Sequence, residues 1–355
     1  MPTPTIPAGN QFMDILLWSG TGGSAGATRV LTGLNFQPDF TWEKDRASSQ
    51  DHHLFDSVRG AGLSKTLASN STGAEGGFND TLYGYLSSFN SNGVTTTNGS
   101  STWDNWNKSG DTYVAWNWKA GGAAVTNTAG SISAQVSANT TSGFSVVTYT
   151  GNGTGGATVG HGLGATPSLI LLKVRNAVAR WVVYQKDVTT ANNQFLELNS
   201  TAAVQTSGTN MWTVASMNGT TFGLGTNGDT NGSTLTFVAY CFAPIAGYSA
   251  FGSYTGNGST DGPFVYLGFR PAFFMVKRTN TTGAWLMLDS KRIGYNPDQN
   301  HLQANTSDQE FTDIDSDFLS NGFKARGTAA DLNASGSTYI YMAFAENPFK
   351  YANAR

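Results

Sequence analysis

The sequence predicts an all-β fold, with three tandem β-sandwich repeats of jelly-roll or lectin-like type. Three observations lead there. The 355 residues include 43 glycines, and Ser, Thr and Asn abound; these residues suit turns, caps and strands better than helix interiors. No long stretch carries the i, i+3, i+4, i+7 apolar spacing of an amphipathic helix. One short stretch, with further landmarks behind it, recurs three times in the same order.

That stretch is a proline, five mostly apolar residues and a lysine. It reads Pro38-Asp39-Phe40-Thr41-Trp42-Glu43-Lys44, then Pro167-Ser168-Leu169-Ile170-Leu171-Leu172-Lys173, then Pro271-Ala272-Phe273-Phe274-Met275-Val276-Lys277. Proline can open a strand but cannot sit inside a central one. The aromatic and aliphatic run behind it predicts a buried strand that leaves the core at the lysine. A second strand follows. It ends Leu54-Phe55-Asp56-Ser57-Val58-Arg59 in the first copy and Met287-Leu288-Asp289-Ser290-Lys291-Arg292 in the third. The second copy has Val182-Val183-Tyr184-Gln185-Lys186 there and lacks the Asp-Ser.

Next comes a leucine run closed by an asparagine and small hydroxyl residues, at Asn70, Asn199 and Asn305. Each copy then has an Asn-Gly pair, Asn92-Gly93, Asn218-Gly219 and Asn321-Gly322. Asn-Gly adopts positive φ at little cost, so these predict tight hairpin turns. Each copy closes on a strand with a central alanine, Ala115, Ala239 and Ala343. A small residue among aromatics predicts close approach of another segment. Copies two and three also open alike, at Tyr149-Thr150-Gly151-Asn152-Gly153 and Tyr254-Thr255-Gly256-Asn257-Gly258; the first has Trp18-Ser19-Gly20-Thr21-Gly22.

These landmarks divide the chain into an N-terminal extension (1–9), β repeat one (10–120), a linker with an edge strand (121–142), β repeat two (143–247) and β repeat three (248–355). Three units of about a hundred residues suit ordinary domain sizes better than one large core. In the linker, Ser131-Ile132-Ser133-Ala134-Gln135-Val136-Ser137 alternates apolar and polar, the pattern of a half-buried strand added to repeat two. The join near Ala246-Gly247 is almost absent, so repeats two and three are expected to be the more rigidly coupled pair. A pseudo-threefold cluster and a string of units both satisfy the pattern.

Composition excludes several functions. The net charge is −3 and forms no blocks, so no nucleic-acid partner is expected. No window approaches ~20 apolar residues, so no membrane insertion is expected. Met1-Pro2-Thr3-Pro4 opens no signal peptide, which implies folding in a cytoplasm. Cys241, inside an apolar run, is expected to pack as a small buried hydrophobe.

The histidines are His52, His53, His161 and His301, without metal-ligand spacing. His52-His53 is expected on a surface turn. No Gly-x-Ser-x-Gly nucleophile elbow is predicted, because the glycine-rich Gly20-Thr21-Gly22-Gly23-Ser24 has no helix behind it and reads as a hairpin turn, and no carboxylate recurs in all three copies. Asp56 and Asp289 are expected to pair with Arg59 and Arg292 or to cap turns. No catalytic residue is therefore assigned, and the protein is not expected to be an enzyme. Asp313, Asp315 and Asp317 resemble the start of a calcium loop, but Phe318 and Lys324 stand where glycine and glutamate are needed. No cofactor is expected beyond an irregular Ca²⁺ site at those three. Trp103, Asp104 and Trp106 lie in a polar stretch and are expected to be partly exposed. Trp beside Asp suits carbohydrate, by ring stacking plus hydrogen bonds; a place in a subunit interface or in the core is the alternative.

Pro38 to Lys44, Leu54 to Gly60, Leu67 to Thr72 and Tyr113 to Gly122 together resemble a repeat-bearing family of tailed-bacteriophage virion proteins, many of them marine or aquatic. The pieces Gly130 to Ile132, Gly143 to Ser145, Tyr149 to Gly153 and Val159 to Gly164 are similar to the same family. The second copy departs most, lacking the Asp-Ser and the aromatic at Trp42. The resemblance implies a tail- or fibre-associated structural protein and supplies no catalytic residues. The expected function is thus structural, on the exterior of a phage particle, in assembly or host adsorption. Head decoration or a head fibre is the first alternative, then a glycan-binding module, and last a polysaccharide-degrading enzyme. The expected partners are other phage structural proteins and further copies of the chain; the glycan alternative adds a host-surface glycan. The expected location is the virion.

Overall fold

The computed structural model describes residues 9–102 and 105–346. Its regular structure is almost all antiparallel β, and the α-helical pieces among the described residues are single turns, Asp80–Tyr83, Gly228–Asn231 and Ala330–Asn333. In the first section Met13–Ser19 pairs with Thr112–Trp118, which pairs with Phe40–Asp45, which pairs with His53–Asp56. The second section repeats that order with Phe144–Thr150, Thr236–Phe242, Leu169–Val174 and Trp181–Gln185. The third has Ser249–Thr255, Thr338–Ala345, Pro271–Arg278 and Trp285–Asp289.

The registers coincide as well as the order. Lys44, Lys173 and Lys277 face Val114, Val238 and Ile340. Phe40, Leu169 and Phe273, each two residues past its proline, face Trp118, Phe242 and Phe344. The three prolines therefore each stand two residues before the same register position, Pro38 and Pro167 just ahead of their strands and Pro271 at a bulged strand start, where the missing N–H is harmless.

Two landmarks are corrected by these registers. Ala115 faces Leu16 and Ala239 faces Val147, but the third residue at that position is Tyr341, facing Gly252. Ala343 lies two residues on. The size exchange is compensated across the pair: a Cβ on Gly252 would stand 2.7 Å from the Tyr341 hydroxyl. The Asn-Gly pairs also differ from expectation. In the pairings Asn90↔Gly93 and Leu319↔Gly322 the two-residue turns are Ser91-Asn92 and Ser320-Asn321, and glycine is already in the ladder. Glycine is needed there for close approach, since a Cβ would stand 1.9 Å from Leu31 O at Gly93 and 2.0 Å from Val265 O at Gly322. In the second section Asn218-Gly219 precedes Thr221–Gly223 and joins it to a 3-10 turn, Val214–Ser216, not to a strand.

Between sections one and two, Ala134–Asn139 pairs with Phe144–Thr150, and Val125–Asn127 pairs outside it. The second main sheet thus gains two strands on that flank.

Each main sheet is covered on its outer face by a small sheet. The small sheets are Thr28–Thr32 with Gly93–Thr97 and Tyr85–Asn90, Thr158–Gly160 with Thr221–Gly223, and Phe264–Tyr266 with Gly322–Ala325 and Ser316–Leu319. Each outer face has its own apolar cluster, holding Leu16 and Phe55, Val147 and Ile170, or Phe274 and Leu288. The inner faces share one cluster, which joins Trp116 and Trp118 to Tyr240 and Phe242 and to Met342 and Phe344. Each section thus has a core of its own and a part in a shared one, because the main sheets are buried on both faces. That is why Leu169–Val174 and Pro271–Arg278 read as nearly continuous apolar runs; Phe40–Asp45 alternates instead, and its buried Thr41 and Glu43 are hydrogen-bonded to Asn117 and His53.

At the middle of the shared core three residues of the same register meet. Trp118 lies 6.3 Å from Phe242 and 5.7 Å from Phe344, and Phe242 lies 5.9 Å from Phe344, centroid to centroid. Aromatic pairs at these separations add about 0.5–1.5 kcal/mol each beyond their buried area.

Candidate functional site

The densest polar chemistry lies where one main sheet meets the next. Each junction begins with the strand after the proline strand. Trp181 Nε1 donates to Ala68 O at 2.8 Å, Trp285 Nε1 donates to Glu197 O at 2.8 Å, and His52 Nε2 meets Gln303 O at 3.0 Å. Trp42 Nε1 donates to His52 Nδ1 at 2.9 Å, so the proton of this ring belongs on Nε2 and is given to Gln303. Burial, then the nearby Lys44 charge, holds His52 well below the ordinary imidazole range. The landmark asparagines fix these donors: His52, Trp181 and Trp285 give their backbone N–H to Asn70, Asn199 and Asn305 Oδ1 at 3.0, 2.7 and 2.7 Å. The sections are therefore linked two to one, three to two and one to three.

A second set of bonds runs through the same junctions. Glu75 N donates to Arg175 O, Val204 N to Thr279 O, and Glu310 N to Arg46 O, at 2.7, 2.9 and 2.9 Å. On this common backbone the side chains differ. At the one–two junction Asp56 takes Arg59 Nε at 2.5 Å and Tyr240 Oη at 2.8 Å, while Glu75 pairs with Arg175. At the three–one junction Asp289 takes Arg292 Nε at 2.6 Å and Trp116 Nε1 at 3.0 Å. There Glu310 bridges Arg292 Nη1 at 2.8 Å and Arg46 Nη2 at 2.8 Å. Burial works against the Arg292 charge, but Asp289 and Glu310 outweigh it and push its pKa up. Asp56 and Asp289 also accept backbone N–H groups of the following turn, from Val58 and Arg59 and from Lys291 and Arg292. Both expected roles, pairing and capping, are present.

At the two–three junction the corresponding residues are Gln185, Val188, Val204, Thr279 and Met342. Val188, Val204 and Met342 pack on the shared core. The Gln185 amide turns instead to Asp187 at 3.0 Å. One junction has therefore lost its ionic network at every position together.

Buried lysines complete the junctions. Lys173 Nζ donates to Thr72 O at 3.1 Å and Ala179 O at 2.7 Å, and Lys277 Nζ donates to Thr201 O at 3.2 Å and Arg278 O at 2.6 Å. Burial lowers Lys44, Lys173 and Lys277 to about 8.

The expected sites fare differently. Trp103 and Asp104 lie outside the described residues. Trp106 is not partly exposed; it is fully buried against Phe55 in the first outer core and offers solvent no ring face. Asp313, Asp315 and Asp317 do not converge. Asp313 lies 3.6 Å from His301, Asp315 accepts from Gln299 at 2.7 Å, and Asp317 stands 3.4 Å from Arg326. Among the described residues no group of three His, Cys, Asp or Glu could hold a metal ion. Cys241 is buried as expected, and burial pushes its thiol pKa up. His52 and His53 are not on a surface turn; both are buried. His53 Nδ1 meets Glu43 Oε2 at 2.9 Å and its Nε2 meets Asn105 Nδ2 at 3.1 Å. Burial, then Lys44, lowers His53 to about 3. This is acid–base furniture with no access to solvent.

Sequence reasoning missed Asn107, Asn231 and Asn333. Each is buried and accepts the backbone N–H of the loop after the opening strand, from Thr21, Asn152 and Asn257 at 2.9, 3.0 and 2.8 Å. The signal was available, since each precedes the closing strand's first threonine by the same interval. A hollow of about 390 Å³ lies beside Asn107 and Lys108, with no carboxylate among its described lining residues.

These features define an all-β protein whose sheets are joined face to face by hydrogen-bonded junctions around a shared core. The chain belongs to the family described as a domain of unknown function (DUF7483), which it matches over residues 8–348. No curated protein and no solved structure matches it.

Proposed function

We propose that the chain is three copies of one β-sandwich module closed around a pseudo-threefold axis, serving as a structural block on the exterior of a bacteriophage particle. The observation that carries the first part is the mutual contact of Trp118, Phe242 and Phe344, three residues of one register. The head-to-tail bonds from His52, Trp181 and Trp285 support it, because they close a ring. A building role accounts for the chemistry: the buried carboxylates, guanidinium groups and lysines hold junctions, and a substrate in solvent does not meet them. The phage setting rests on the resemblance of the repeated motifs. Within it, a tail- or fibre-associated role in assembly or host adsorption is the reading adopted.

Quantitative mass spectrometry of purified particles tests this directly. The chain should co-purify with mature virions at a copy number fitting a tail or fibre. A copy number matched to the capsid lattice would move it to the head, and absence from mature particles would remove the structural role.

A further inference from the structure

The same flank of the three sections is treated in three ways. In the second section it is covered: Ala134–Asn139 pairs with the opening strand, and Ile132 N donates to Thr158 O of the small sheet at 3.0 Å. In the first section the opening strand is an edge, but cations cap it. Lys291 Nζ donates to Ile15 O at 3.0 Å and Arg29 Nη1 to Ser19 O at 2.8 Å. Proteins commonly protect a sheet edge by a covering segment or by charge.

Among the described residues the third section has neither. Ser249–Thr255 is the edge of a five-stranded sheet and contains no charged residue and no proline. Ala345 N donates to Tyr248 O and Gly256 N to Ser337 O, so residues Ala250, Gly252 and Tyr254 bond inward by alternation. Phe251 and Ser253 turn their N–H and C=O outward, and no hydrogen bond reaches those groups among the described residues. The short connection after Phe242 leaves no chain to supply a covering strand like the one in section two. Beside the edge, Phe264 and Tyr266 of the small sheet are 45% and 64% exposed. Their counterparts in section two are Thr158 and Gly160, with Asn127 packed so close that a Cβ on Gly160 would stand 2.1 Å from its side-chain oxygen.

We infer that this flank is an interface between two copies of the chain, in which the segment 251–255 pairs antiparallel with its own counterpart about a twofold axis, Ser249 N being already held by Ile245 O at 2.9 Å. An uncharged edge is self-complementary under that operation, and it continues two sheets into one. The covered flank of section two supplies the precedent: the corresponding edge there is completed by an equally uncharged strand, Ala134–Asn139. The aromatic pair Phe264 and Tyr266 lies where a partner would shield it. The inference does not depend on the particle reading and can fail separately from it.

Sedimentation equilibrium of the full chain between roughly 1 and 100 µM tests it. A concentration-dependent dimer is expected. Ser253→Pro removes an outward N–H without costing a ladder bond, and Ser253→Lys sets a charge on the edge; each should weaken the dimer by ~10-fold or more, a change of about 1.4 kcal/mol. Unchanged thermal unfolding of the variant monomers shows that the fold survives. Amide exchange at Phe251 and Ser253 should slow as the dimer forms. A chain that stays monomeric throughout overturns the inference, as does a dimer that persists in both variants. Slow exchange at those two amides in a monomer would mean another segment covers the edge, and would overturn it too.

Discussion

The one–two junction and the two–three junction share a backbone and differ in almost every side chain. Both carry a tryptophan N–H on a neighbouring carbonyl, Trp181 on Ala68 and Trp285 on Glu197. Both carry an inter-section backbone bond, at Arg175 and at Thr279. Yet Asp56, Arg59, Glu75, Arg175 and Tyr240 at one stand against Gln185, Val188, Val204, Thr279 and Met342 at the other. The contrast teaches that the shared core and main-chain bonds set the geometry, and that the ionic network is a replaceable filling. It is replaceable only as a set. A buried ion pair is roughly neutral against well-packed apolar residues, but half of one leaves an uncompensated charge.

The comparison breaks most readily at a single cation. Arg292→Met should cost about 3–5 kcal/mol in urea unfolding, because Asp289 and Glu310 stay buried without it. Val188→Ala, at the corresponding place in the apolar junction, should cost about 1–2 kcal/mol for lost methyl groups. Equal losses would mean that the network contributes no more than ordinary packing. The next effect is a lost donor. Trp116→Phe or Tyr240→Phe leaves an aspartate oxygen short of a partner, for about 1–3 kcal/mol. Smaller still is the complete exchange. Asp56→Gln, Arg59→Val, Glu75→Val, Arg175→Thr and Tyr240→Met combined should fall within about 2 kcal/mol of the parent, well short of the summed single losses.

Acid should sharpen the contrast without any mutation. Burial raises Glu310, but Arg46 and Arg292 outweigh it, so its pKa is held below the ordinary 4.5. A depressed carboxylate contributes stability that is present above the unfolded value and lost as pH falls through the folded value. The corresponding residue at the two–three junction is Val204, which does not titrate. As pH falls below 4.5, the Glu310 amide on Arg46 O should therefore exchange faster well before the Val204 amide on Thr279 O. Simultaneous loosening of both would place the acid-labile group elsewhere.

Much of this was legible in the sequence. The lysines six residues behind the prolines stand in one register, because a strand that opens after a proline and is buried behind it constrains local structure. Asp56 and Asp289 were read as structural partners of Arg59 and Arg292, a pairing within one turn. Misreadings arose where a residue's role was set from outside its own segment. Trp106 looked exposed beside polar neighbours, but the small sheet folds over it. His52 looked like a turn residue, but its acceptor is Gln303, far along the chain. Ala343 looked like the third central alanine because the exchange of Gly252 and Tyr341 is visible only across a strand pair.

By itself, then, the amino-acid order determined the class of secondary structure, the recurring strands and the entry point of each, since alternation, proline and apolar runs act over a few residues. Only the tertiary structure decided that the main sheets bury both faces, which charges meet across the junctions, and which sheet edge stays bare among the described residues. Those outcomes depend on contacts between residues far apart in the chain, and no local pattern records them.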